Sequence, residues 1–146
     1  MKRKGFTLVE ILIVVIILGI LAAIVIPQFS EASDDARLSS LVSDLQTLRS
    51  QLELYRVQHN SYPDGADSTA WKAQLTGQTD INGDTGTDYG PYLQTFPTNP
   101  FNDSNDVFID TAGTGSPGAQ STTLGWYFNP ANGKLAPNDS VEHGAL

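Results

Sequence analysis

The chain contains no cysteine in its 146 residues, which excludes disulfide bridges and thiolate sites for zinc or haem. Basic residues are scarce: eight Lys and Arg stand against sixteen Asp and Glu, a net charge of −8. General affinity for DNA or anionic lipid needs basic patches that displace counterions, so no nucleic-acid partner is expected. An acidic balance instead favours solubility and makes neighbouring copies repel unless cations screen them. Histidine occurs only twice. His59 falls near a predicted helix end and His143 in a tail predicted to fray, and neither has a nucleophile or metal partner nearby in sequence. Glycine is plentiful, but no phosphate-binding fingerprint precedes a helix. With none of the roles of an active site filled, no enzyme is expected.

Charge is also missing from one long stretch. Between Ile11 and Ser30 there is none, and twenty helical residues at about 1.5 Å each reach about 30 Å, the hydrocarbon thickness of a bilayer. A transmembrane helix over residues 6–29 is predicted. Lys2, Arg3 and Lys4 precede it, so the positive-inside rule leaves the N-terminus in the cytoplasm and sends the rest outward. Glu10 is the anomaly, because a mid-bilayer charge costs about 2.5 to 3.5 kcal/mol, less near a helix end, and such groups usually have a partner. Cleavage between Gly5 and Phe6 would create an α-ammonium about 6 Å of helix from Glu10. With a reference pKa of about 7.7 to 8, that amine is mostly cationic and can pair with the carboxylate of its own helix or of a neighbour.

The run Lys2-Arg3-Lys4-Gly5-Phe6-Thr7-Leu8-Val9-Glu10 resembles the signal of type IV pilins and type II secretion pseudopilins, which a prepilin peptidase cuts after the glycine. Gly19 and Pro27 stand where that family keeps its helix-breaking pair. The resemblance implies a cleaved leader (residues 1–5), methylation of the Phe6 amine, and a Glu10 that pairs with the amino terminus of an adjacent subunit in a helical filament. It also implies assembly-platform and minor-subunit partners, a bacterial inner-membrane location before assembly, and a periplasmic or extracellular filament after it. A secretory signal peptide fits poorly, since Glu10 interrupts its apolar region and Leu21-Ala22-Ala23 lacks a small residue at its first position. Losing the three basic leader residues takes the charge from −8 to −11. Many type IV pilins of this superfamily close a C-terminal disulfide loop, so the missing cysteines point toward a pseudopilin.

Residues 30–146 form one predicted exported domain. Leu38, Leu41, Leu45, Leu48, Leu52 and Tyr55 recur at spacings of three and four, one apolar stripe on a helix continuing to about residue 59, with Arg37, Asp44, Arg49, Glu53 and Arg56 off it. The repeat is too short to argue for a coiled coil, which leaves an amphipathic helix packed on its own sheet. A helix of more than fifty residues, kinked at Pro27, results. Residues 60–105 read as a loop region, with a short helix capped by Asp67 or Ser68 that buries Trp71 and Leu75. The segment Phe96-Pro97-Thr98-Asn99-Pro100-Phe101 resembles the Pro-x-acid-or-amide-Pro-aromatic stretch of major pseudopilins, although Asn102-Asp103 follows where the family often has Trp-Gly-Asn.

A sheet is predicted over residues 106–138. Its strands are 107–110, 123–129 with Leu124, Trp126 and Phe128 on one face, and Lys134-Leu135-Ala136 after a turn at residues 129–133, with a loop at 111–121. The expected class is α+β, a long kinked N-terminal helix packed on a small C-terminal antiparallel sheet.

Oxygen side chains alternate at Asp80, Asn82, Asp84 and Asp88, as a calcium loop could use, but Thr85 and Pro91 occupy the EF-hand positions of glycine and glutamate. Asp103, Asp106 and Asp110 form a second acidic set. Major pseudopilins bind calcium in a later loop, whose ligand pattern is not placed on these residues. The expected role is structural: a filament subunit, most simply a major pseudopilin of type II secretion. Open alternatives are a type IV pilin for adhesion, motility or DNA uptake, and a single-span module that binds calcium or a partner.

Overall fold

The computed structural model describes residues 5–118 and 123–146. The leader residues Lys2, Arg3 and Lys4, and residues 119–121 of the expected loop, lie outside them. The elements in chain order are α1 (Leu8–His59), α2 (Ser68–Thr76), β1 (Val107–Ile109), β2 (Trp126–Asn129), β3 (Lys134–Pro137) and a 3-10 turn (His143–Ala145). The chain divides into two compact units, Met1–Ala36 and Arg37–Leu146, against an expected boundary at residues 29 and 30.

The first unit is helical from Leu8 onward, through Gly19 and Pro27. All its described side chains are exposed, among them Leu12, Ile16, Ile20 and Ile24. It is long and apolar enough to cross a membrane.

In the second unit the helical residues after Arg37 present the predicted stripe. Leu41, Leu45, Leu48, Leu52 and Tyr55 are buried at 2 % exposure or less, while Leu38, the first of the series, stays 37 % exposed. They share one core with Trp71 and Leu75 of α2, with Tyr92 and Phe96, and with Trp126, Phe128 and Leu135 of the sheet. At about 1.5 to 3 kcal/mol for each large apolar side chain taken out of water, this core is what makes the helix hold the sheet. Asp67 caps α2 by accepting the Ala70 N–H at 2.8 Å.

The sheet order is β1-β2-β3. β2 and β3 form the expected hairpin, antiparallel with Trp126 opposite Pro137 and Asn129 opposite Lys134. Gly133, at φ 72°, closes its turn, and a Cβ there would strike the Tyr62 ring. The all-antiparallel expectation fails at β1, which runs parallel to β2 with Val107 opposite Trp126. The physical reason is the long connection between Ile109 and Trp126: only a hairpin-length link forces an antiparallel neighbour, and a crossover of a dozen or more residues lets the chain return in the same direction. β2 also begins at Trp126 rather than residue 123.

Both faces of β2 are buried. Trp126 and Phe128 enter the core, and the opposite face is covered around Tyr127. The Tyr127 ring lies 6.1 Å from that of Phe108, and its hydroxyl donates to Asp110 Oδ2 at 2.6 Å and lies 3.1 Å from the Gly115 carbonyl oxygen. Asp110 also accepts the Gly113 and Gly115 N–H groups, so the loop after β1 folds over the sheet.

The tail is not frayed. His143 Nδ1 pairs with Asp139 Oδ2, and Asp139 Oδ1 accepts from Asn99 Nδ2 at 2.7 Å. The ring of Phe101 lies 4.3 Å from that of His143. Asn99, fully buried, also donates to the Gly125 carbonyl, which ties the proline-flanked segment to the start of β2 and to the tail.

Candidate functional site

The N-terminus of α1 carries reciprocal caps. Thr7 is the N-cap residue: its carbonyl accepts the Ile11 N–H at 3.3 Å, and its Oγ1 accepts the Glu10 N–H at 3.3 Å. Glu10 reaches back, its Oε2 accepting both the Thr7 N–H and the Thr7 hydroxyl at 2.8 Å each. This is a capping box, Thr-x-x-Glu, that satisfies otherwise orphaned donors and sets a carboxylate at the positive end of the helix dipole. Both contacts fall on Oε2. Among the described residues Oε1 has no partner and can accept a further cation.

Gly5, Phe6 and Thr7 lie outside the helix, and the Phe6 side chain is 83 % exposed. A Cβ at Gly5 would meet nothing within 4 Å, and Gly5 has no positive φ. Nothing in its own surroundings therefore requires glycine there. The same holds at Gly19, where a Cβ would also meet open space, yet a glycine inside a helix costs about 0.8 to 1.0 kcal/mol relative to alanine.

The two acidic sets differ from a cation cage. In the first, Asp80 Oδ1 accepts the Asn82 and Asp84 N–H groups at 2.8 and 3.1 Å, and the Asp80 N–H donates to the Asp84 carbonyl at 2.9 Å. Asp88 N–H donates to the Thr79 carbonyl, closing the loop. In the second set the Asp106 and Asp110 carboxylates have separate partners. Asp106 bonds Lys72 Nζ at 2.9 Å and Ser68 Oγ at 3.2 Å; Lys72 holds its carboxyl below the ordinary range. The Tyr127 hydroxyl, with the loop N–H groups, does the same for Asp110. Asp103, at φ 53°, serves a turn by donating its N–H to Asn99. Among the described residues no group of three or more His, Asp or Glu is arranged to hold a metal ion. As they stand, the carboxylates of Asp80, Asp106 and Asp110 are engaged by donors of the protein itself.

His59 is a structural residue. It stacks on Tyr55 at 3.8 Å, and its Nδ1 donates to the Tyr55 carbonyl at 3.0 Å, which fixes the tautomer and leaves Nε2 to accept from the Thr79 hydroxyl at 2.9 Å. The end of α1 is thereby fastened to the loop holding Asp80.

Residues 1–26 match the prokaryotic N-terminal methylation motif, which places the chain in the class of prokaryotic proteins bearing that signal. Residues 28–116 match the family of type II secretion system (T2SS) protein G, more than half of the chain. The chain belongs to that family. The type II secretion system core protein G of Pseudomonas aeruginosa is 40% identical over 62 residues, which are 42% of this chain and 44% of that one. The core protein G of Escherichia coli (strain K12) is 37% identical over 62 residues, 43% of its length, and that of Vibrio cholerae 39%, over 42% of its length. The chain thus spans under half the length of these relatives in the matched region. No solved structure matches it.

Proposed function

We propose that this chain is a filament subunit, the major pseudopilin of a type II secretion apparatus. The observation that carries the reading is an exposed apolar helix with one carboxylate in its first turn, Glu10, whose Oε1 has no partner among the described residues. An exposed apolar surface of this length needs a bilayer or other helices of its own kind around it. A carboxylate inside it needs a cation in either setting. Removal of the leader after Gly5 supplies one, the Phe6 ammonium. On an adjacent subunit that ammonium would reach Glu10 and select the register in which helices pack.

In this reading a prepilin peptidase removes residues 1–5 and the new amine is methylated. The subunit waits in the inner membrane with its N-terminus cytoplasmic and residues 30–146 outside. An assembly platform and minor pseudopilins then incorporate it into a helical homopolymer. Gly19 and Pro27 give the helix places to bend or melt as it leaves the membrane. The role is structural rather than catalytic.

The test is electron microscopy of cells that overproduce the chain together with a type II secretion apparatus. Fibres should form with the unaltered chain. Glu10→Val should insert in the membrane yet give few fibres, because the neighbour's ammonium is left unpaired in an apolar surrounding, a loss of a few kcal/mol. Equal fibre yield from both would overturn the pairing, and absence of fibres from the unaltered chain would favour a single-span anchor.

A further inference from the structure

We propose that Thr7 is a positioning residue for leader removal: as N-cap it stops α1 short of the bond between Gly5 and Phe6 and leaves that bond outside the helix. The proposal rests on the reading of residues 1–5 as a cleaved leader.

The geometry is local. Helical hydrogen bonding begins with the Ile11 N–H on the Thr7 carbonyl, and Gly5, Phe6 and Thr7 are outside the helix. The Thr7 side chain takes the Glu10 N–H and gives its own hydroxyl proton to Glu10 Oε2, while the Thr7 N–H goes to the same oxygen. With its N–H spent on a side chain three residues ahead, Thr7 is held at the helix boundary. No proline follows Gly5 in the next turn, and the Phe6 side chain is exposed. The Thr7–Glu10 box is thus the local feature that sets the boundary.

The boundary matters because a peptide bond inside a helix must be unwound before a protease can take it, whereas extended chain is ready for attack. In the cut itself the bond between the Gly5 carbonyl carbon and the Phe6 nitrogen breaks. Water supplies hydroxyl to the carbon and hydrogen to the nitrogen, and the new carboxyl group then gives its proton to the amine, leaving a carboxylate and an ammonium. Thr7 and Glu10 both lie on the mature side, so the box survives the reaction it prepares.

The experiment follows conversion of the full chain in membranes mixed with membranes holding a prepilin peptidase, read by intact mass. Thr7→Val, nearly isosteric but without the hydroxyl, should be cut about fivefold more slowly, the factor that a cap of ordinary strength commands. Thr7→Ser and Thr7→Asn, both good caps, should restore the rate. Alkaline extraction checks that each variant is inserted, and backbone chemical shifts of Phe6 in detergent micelles report whether it is extended or helical. The expected pair of results is slow cutting with Phe6 turned helical in Thr7→Val. Cutting at the unaltered rate would overturn the proposal. So would slow cutting with Phe6 still non-helical, which would make Thr7 a residue the peptidase reads directly. If the unaltered chain is never cut, the leader reading fails instead.

Discussion

The Arg49 guanidinium holds the Leu135 carbonyl in a two-pronged grip, with Nε at 3.1 Å and Nη2 at 2.8 Å, and so fastens α1 to the outer edge of β3. Its remaining arm reaches the Leu146 carbonyl at 3.3 Å. Partial burial holds the guanidinium below its ordinary pKa. Arg49→Lys keeps the charge but cannot make the parallel pair. It should destabilise the domain by about 1.5 to 3 kcal/mol, the worth of a hydrogen bond to a charged group, and Arg49→Ala by more. Urea unfolding of a fragment starting near Phe29 measures both; equal stability would show the grip to be incidental.

Leu48 is fully buried at the middle of the stripe. Leu48→Ala should cost about 2 to 5 kcal/mol through lost burial and the cavity left behind. Gln46→Ala, on the exposed side of the same turn, should change stability by less than about 0.5 kcal/mol. The same denaturant series reads both.

Acid should loosen the loop over the outer face of β2. Hydrogen bonds from Tyr127 and the loop hold the Asp110 carboxyl low, so its contribution is complete above the unfolded-state value of about 3.9 and is lost as pH falls through the lower folded value. Asp106, held low by Lys72, adds in the same direction. Tyr127→Phe should therefore be less stable than the parent at pH 7, by a margin that narrows as pH falls below about 4. A constant margin from pH 7 to pH 2 would contradict the role given to the carboxylate.

Asp80 holds its loop through two backbone N–H groups. Asp80→Ala should lower the melting temperature by an amount that is the same in chelator and in millimolar calcium, because the carboxylate serves the loop itself. A penalty seen only in calcium would show that a cation organises these residues after all.

Much of this arrangement was legible in the residues. The spacing from Leu41 to Tyr55 is local and periodic, so it announced the buried face, and Asp67, Trp71 and Leu75 announced α2. The direction of β1 was not legible, because it depends on where a long connection travels and not on the three residues of the strand. Burial of Tyr127 was hidden for the same reason: its partners, Asp110 and Gly115, are brought to it only by that connection. His143 looked free because its partner Asp139 is positioned by Asn99, far away in sequence. At the N-terminus Glu10 was conspicuous as a charge in an apolar run, whereas Thr7 passed unnoticed, although Thr-x-x-Glu ahead of an apolar run is a capping signature in the sequence itself.

The central claim, that this chain is a processed filament subunit, is tested most directly at its own amino terminus. Intact-mass and N-terminal peptide spectrometry of the chain recovered from a bacterial membrane or from sheared fibres should find that residues 1–5 are gone and that the first residue is Phe6 with one added methyl group on its nitrogen. A chain assembled into fibres that still begins at Met1 would contradict the account.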